Sequence, residues 1–170
     1  VGVVAGRLLG PLVVEARAAG FSARFDLQVI GRRPLVSPVG FVNAASFITG
    51  LSPCSAASIF GTGLMEGVDG VVIGQGAPFP TRLRGVRVLV DGIEAPILAL
   101  ANRSGQEQIN IQVPCFVRAP ANDVTVTVEN NGVSATFVGV RTFTAQPGVF
   151  EVQVPAGNVA AVLKLDNTLV

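Results

Sequence analysis

The residues of this 170-residue chain whose types could do chemistry are two cysteines, four acids in polar turns and one glycine-rich loop; histidine is absent. Without His the chain lacks the commonest general base, the usual activator of a nucleophile and a favoured metal ligand. A His-dependent triad, a His-ligated zinc and a His-held haem are therefore excluded. Asp69, Asp91, Glu94 and Glu107 fall in predicted loops or turns. A calcium loop needs denser Asp/Asn spacing, so they read as solvated turn acids. GTGLMEG (61–67) has the glycines of a phosphate loop but no P-loop lysine, no dinucleotide-binding spacing and no following helix. It reads as a turn in which glycine supplies positive φ. A glycosidase-type carboxylate pair would have no Trp or Tyr platform for a sugar ring, because the chain has neither residue. Asn102-Arg103-Ser104 is formally a glycosylation triplet in a predicted turn, a pattern that also arises by chance. Lys164 is the only lysine, and no Asn or Asp partner for an isopeptide crosslink stands out. No catalytic residue, cofactor-binding residue or metal ligand is assigned, no cofactor is expected, and the chain is not expected to be an enzyme.

Cys54 and Cys115 are too far apart for a CxxC redox site, and two ligands rarely hold a structural metal. A pair of buried thiols and a disulfide both remain open. The disulfide is preferred because each Cys follows a Pro at the edge of a strand-like run, SPCSAASIF and INIQVPCFV. Closing a loop of about 60 residues would stabilise the fold by about 4 kcal/mol in the chain-entropy view. It would also imply an oxidising setting outside the cytoplasm.

The elements that must position these residues read as strands nearly throughout. FSARFDLQVI sets Phe21, Ala23, Phe25, Leu27 and Val29 on one face and Ser22, Arg24, Asp26 and Gln28 on the other, as in a half-buried strand. LVVEARA, with Val14, pairs with it across Ala19-Gly20, so residues 12–30 read as a hairpin. GRRPLVSPVG reads as a linker and MEGVDGVVIGQGAPFPTRL as loop. VRVLV and IEAPILAL flank the hairpin dipeptide Asp91-Gly92. INIQVP is expected to bury Ile109, Ile111 and Val113. Val124, Val126 and Val128 should face Val133, Ala135 and Phe137 across Asn130-Asn131-Gly132, with the register open. The tail sets Phe150, Val152 and Val154 on one face, then turns. NVAAVLKL, with Val162 and Leu163, follows as a strand in preference to a helical turn. Short strands roughly every 8 to 12 residues predict an all-β, Ig-like β-sandwich with an extra N-terminal β-hairpin and a C-terminal strand segment. The boundaries expected are 1–35, 36–147 and 148–170.

Residues 38–150 resemble an Ig-like repeat family common in large secreted proteins of soil bacteria. The resemblance lies in VNAASF (42–47), SIFGTGL (58–64), PTRLRGVRVLVDGIEAPIL (80–98), GQEQINIQVP (105–114) and QPGVF (146–150). The order of these elements looks like the IPT/TIG group of Ig-like folds. Residues 1–30 are similar to the last strands of an invasin-type bacterial Ig-like domain. The resemblance implies a secreted β-sandwich and brings no catalytic residues. It also makes both ends look like incomplete modules. A start at Val1 in place of Met points to a processed or excised piece.

Charged residues make up 14% of the chain, against about 25% in an average soluble domain, and the formal net charge is +1. No basic stripe with interleaved aromatics offers a footprint for nucleic acid. No run reaches the roughly 18 apolar residues of a membrane span. The expected role is a structural subunit of an extracellular or cell-surface assembly, joined head to tail by strand complementation. The residues expected at its joints are Val14, Phe21, Phe25, Leu27, Val29, Phe150, Val152, Val154, Val162 and Leu163. The expected partners are copies of the chain or adjacent Ig-like modules. The alternative is a spacer or adhesin module of a larger surface protein.

Overall fold

Alternating apolar residues separated by tight turns leave the chain little choice but strands, and the structure, a computed structural model describing residues 9–117, 123–155 and 157–161, contains strands and no helix among those residues. In chain order these are β1 (Gly10–Ala18), β2 (Phe21–Val29), β3 (Leu35–Asn43), β4 (Ala56–Thr62), β5 (Gly70–Ile73), β6 (Arg82–Leu83) and β7 (Val86–Val90). They continue as β8 (Ile93–Glu94), β9 (Ile97–Arg103), β10 (Gln106–Gln112), β11 (Val124–Asn130), β12 (Val133–Val140), β13 (Glu151–Val154) and β14 (Gly157–Ala160).

Two antiparallel sheets enclose the core. One has the order β3-β4-β10-β9-β5; the other runs β12-β11-β7-β6, with β8 also paired to β7. Period-two alternation turns Ala57, Ile59, Leu100, Ile109 and Ile111 inward from the first sheet and Val86, Val88, Val90, Val126 and Val128 inward from the second, all fully buried. Phe41 and Phe137 meet edge-on where β3 and β12 approach each other, with ring centroids 5.6 Å apart. β1-β2 and β13-β14 are separate two-stranded sheets, not hydrogen-bonded to either larger one.

Two-residue turns set the registers. Ala19-Gly20, Arg84-Gly85, Asp91-Gly92, Ser104-Gly105 and Asn131-Gly132 all have positive φ at both positions, the geometry that matches the twist of a hairpin. The flanking pairs are Ala18↔Phe21, Leu83↔Val86, Val90↔Ile93, Arg103↔Gln106 and Asn130↔Val133. The register left open by the sequence places Val126 opposite Phe137 and Val128 opposite Ala135.

Three segments differ from the sequence reading. GRRPLVSPVG is a linker only to Pro34; Leu35 onward is edge strand β3, whose pairing with β4 breaks between Val36 and Phe41. Proline is tolerated there because Pro38 lies on a sheet edge, where no ladder N–H is missed. IEAPILAL is not one strand, because Ala95-Pro96 carries the chain from β8 in one sheet to β9 in the other. MEGVDGVVIGQGAPFPTRL contributes β5 and β6, and its first residue, Met65, enters the core with the adjoining Leu64.

Buried polar groups close one end of the sandwich. Glu107, 2% exposed, is not the solvated turn acid expected: its carboxylate accepts the Leu64 N–H at 2.6 Å and pairs with Arg32 at 2.5 Å. Arg32 also lies 3.5 Å from Glu66. The fully buried Asn130 amide donates to the carbonyls of Gly63 (2.9 Å) and Arg32 (3.3 Å). Gly31 passes so close to Asn130 that a Cβ would stand 2.4 Å from its carbonyl oxygen. Removing Arg32 strands a buried carboxylate, whereas Glu107→Gln keeps the shape and leaves a largely solvated guanidinium. Arg32→Ala is therefore expected to cost about 3 kcal/mol in urea unfolding, and more than Glu107→Gln; equal losses would count against a buried pair.

Candidate assembly surfaces at the two ends

The N-terminal hairpin carries the first surface. Its register pairs Leu12 with Leu27, Val14 with Phe25, Ala16 with Ala23, Ala18 with Phe21 and Gly10 with Val29. Cross-strand partners share a face, so Val14, Phe21, Phe25, Leu27 and Val29 form one apolar ladder. The opposite face carries Glu15 beside Arg17 and Arg24 beside Asp26 as exposed ion pairs. The sequence reading of a half-buried strand fails in β2 because nothing among the described residues covers the ladder. Phe21 is 82% exposed, Phe25 50% and Leu27 46%. Val14 and Val29 are half-buried.

The C-terminal hairpin carries the second. Val152 pairs with Val159, Val154 with Gly157, and the Phe150 carbonyl accepts the Ala161 N–H at 2.6 Å. Phe150 is exposed, and Val152 and Val154 are half-buried. A cleft of 830 Å³ lies between this segment and the loop after β3, with Phe47 and Phe150 among its walls. Val162 and Leu163 lie outside the described residues.

The two hairpins leave the sandwich at opposite ends of β4. The N-terminal connection sits against Glu107, Gly63 and Asn130, beside Thr62. The C-terminal connection sits at the Ala56 end. There Leu51 and Thr142 form a parallel bridge, Phe143 N–H donates to the Leu51 carbonyl at 2.8 Å, and the Asn43 amide donates to the Gln146 carbonyl at 2.7 Å. Gly148 is pressed so tightly against Asn43 that a Cβ would stand 2.6 Å from its amide oxygen. The structure does not bring the N-terminal and C-terminal joint residues together within one chain. Asn43 and Gln146 lie in the motifs VNAASF and QPGVF and Asn130 in a hairpin signal, but no local pattern gave the contacts that these residues and Arg32 make with partners remote in the chain.

Cys54 and Cys115 are joined as a disulfide across 61 residues of sequence, with Cα atoms 4.4 Å apart. The bond ties the segment before β4 to the segment after β10, and Cys54 N–H donates to the Val113 carbonyl. No helix is long and apolar enough to cross a membrane among the described residues. Asn102 is half-buried and its side chain is engaged, donating to the Val68 carbonyl and accepting the Gly105 N–H. On the outer face of the second sheet, Glu129 accepts from Arg82 and Arg87, and Glu94 accepts from Arg87 and the Thr81 hydroxyl. The Thr81 hydrogen bond and the Arg87 guanidinium hold the Glu94 carboxyl below the usual glutamate range. Glu94 and then Glu129 hold the Arg87 guanidinium above its own.

Comparison with protein-family models, curated proteins and solved structures finds no match for the chain.

Two measurements follow from these contacts. Reducing the disulfide, or replacing both cysteines by serine, should lower the stability by about 4 kcal/mol, read as a shift in the urea midpoint. A midpoint unmoved by reduction would mean that the bond constrains little. Because the Glu94 carboxyl is depressed in the folded chain, its contribution is present above the ordinary glutamate range and disappears as pH falls through the lowered value. The stability difference between the parent chain and Glu94→Gln should therefore shrink on acidification; a constant difference would contradict the assigned contacts.

Proposed function

We propose that the chain is an Ig-like structural subunit of an extracellular assembly or filament, joined head to tail with copies of itself by strand complementation. The uncovered apolar ladder of the N-terminal hairpin carries this reading. Burying apolar area is favourable by about 25 cal/mol per Å², so a hairpin face of Leu, Val and Phe gains from a second β-surface laid on it. The unpaired strand edges beside it add main-chain hydrogen bonds to the same contact. The hairpins project from opposite ends of β4. Contact between the N-terminal hairpin of one copy and the C-terminal hairpin of the next is then heterologous, and it makes a fibre when the rotation between copies does not close into a ring. The disulfide supports a location in an oxidising compartment.

One observation favours a second reading, in which the hairpin completes a neighbouring Ig-like module of a larger surface protein. Gly31 and Arg32 are seated on the sandwich, giving the short fixed connection that tandem modules use.

The two readings separate in negative-stain electron microscopy and light scattering of the purified chain. The assembly reading expects regular fibres from a 17.4 kDa subunit, lost on deleting residues 1–30 and in Phe25→Arg. A chain that stays monomeric when concentrated decides for the in-line module. Fibres that survive both changes would place the joint elsewhere.

A further inference from the structure

We infer that the sandwich is built to carry tension between its two ends, and that the Cys54–Cys115 disulfide caps how far it can be drawn out. The inference rests on the chain being joined through its ends, a feature common to the assembly and to the in-line module.

The pulling geometry follows from topology. The chain reaches the sandwich at the Thr62 end of β4 and runs through β3 to the Ala57 end, since Leu35 pairs with Thr62 and Asn43 with Ala57. It leaves from β12 at that second end, through the bridge of Thr142 to Leu51. The first and last strands of the sandwich are thus pulled along their own axes in opposite directions. Antiparallel hydrogen bonds lie perpendicular to their strands, so this pull shears many of them at once and does not open them singly. Each connection carries a tie where force arrives first. Arg32 binds the buried Glu107 at one end, and Asn43 binds the Gln146 carbonyl at the other.

The disulfide then limits what rupture releases. Seven of the ten strands from β3 to β12, namely β4 to β10, lie inside the loop it closes. Once β3, β11 and β12 are stripped away, force passes from Cys54 to Cys115 through the S–S bond, and the stretch between them, a sequence separation of 61, bears none. At roughly 3.4 Å per extended residue the bond withholds about 210 Å.

The test stretches single molecules of the full chain, held by its two ends, in an optical trap. The terminal hairpins should open at low force. The sandwich should then rupture in one step at higher force, with a released length about 210 Å short of the whole. Adding dithiothreitol while the ruptured molecule is held under tension should give a second jump of about 210 Å, so the outcome does not depend on a reduced chain that folds. The double variant Cys54→Ser/Cys115→Ser should show neither the shortfall nor the second jump. An oxidised chain that releases its full length, or strands that peel in small steps at the force that opens the hairpins, would overturn the inference. Failure to find fibres would remove the assembly reading and leave the capped step standing. An uncapped step removes this inference whatever polymer forms.

Discussion

Every strand here presents two faces, and an apolar face left against water costs free energy until something covers it. That constraint organises the molecule. Between the two larger sheets it is met internally, with the Val86, Val88 and Val90 row of β7 and the Val126 and Val128 row of β11 turned toward Ile59, Ile109 and Ile111. In the N-terminal hairpin the same alternation builds an equally regular ladder, and no described residue lies on it. One rule thus produces both a closed core and an open surface. The difference between them is only whether the chain supplies the second layer.

A two-layer core also has open ends, where loops must cross without leaving polar groups unpaired. Buried and half-buried side chains supply most of these bonds at each end, with the Gln146 side-chain oxygen left unpaired among the described residues. Asn130 and Glu107 hold the GTGLMEG loop and the connection from the hairpin, while Asn43 and Gln146 hold the loop after β3 and the strand that leaves. Leu64 and Met65 plug the first end with apolar bulk, so this loop belongs to the core as much as any strand does. The glycines that give GTGLMEG the look of a phosphate loop are needed for its path over the sandwich. A Cβ on Gly63 would stand 2.4 Å from the Arg33 carbonyl oxygen.

The same ties make the ends of the molecule its most informative part. The outer faces carry paired charges and small amide networks, such as Arg82, Glu129, Arg87 and Glu94 on one sheet and Ser58, Gln108 and Asn110 on the other. These groups pair with one another, although the buried Arg87 Nε has no hydrogen-bond partner among the described residues. Large apolar residues are left exposed on the two hairpins that leave at opposite ends of β4, as at Phe21, Phe25 and Phe150, and on the sandwich as well, as at Val39, Ile73, Phe116 and Val138.

The sequence by itself determined what depends on near neighbours. Alternation in FSARFDLQV and VTVTVEN, and the Gly-containing dipeptides at 19–20, 91–92 and 131–132, specify strands and hairpins, because pleat and turn geometry involve only a few residues. The inward rows at Ile109, Ile111 and Val113 were legible for the same reason, and the Pro-Cys context favoured the disulfide. Only the tertiary structure decided which strands share a sheet, how β3 forms across Pro38, and where Ala95-Pro96 switches layers. It alone showed Glu107 buried with Arg32, 75 residues away, and the Phe21, Phe25 and Leu27 ladder uncovered. Periodicity marks a residue as apolar and facing one side. Whether that side meets a second sheet, a buried partner or water depends on chain segments brought together from far along the sequence, and no local pattern encodes that meeting.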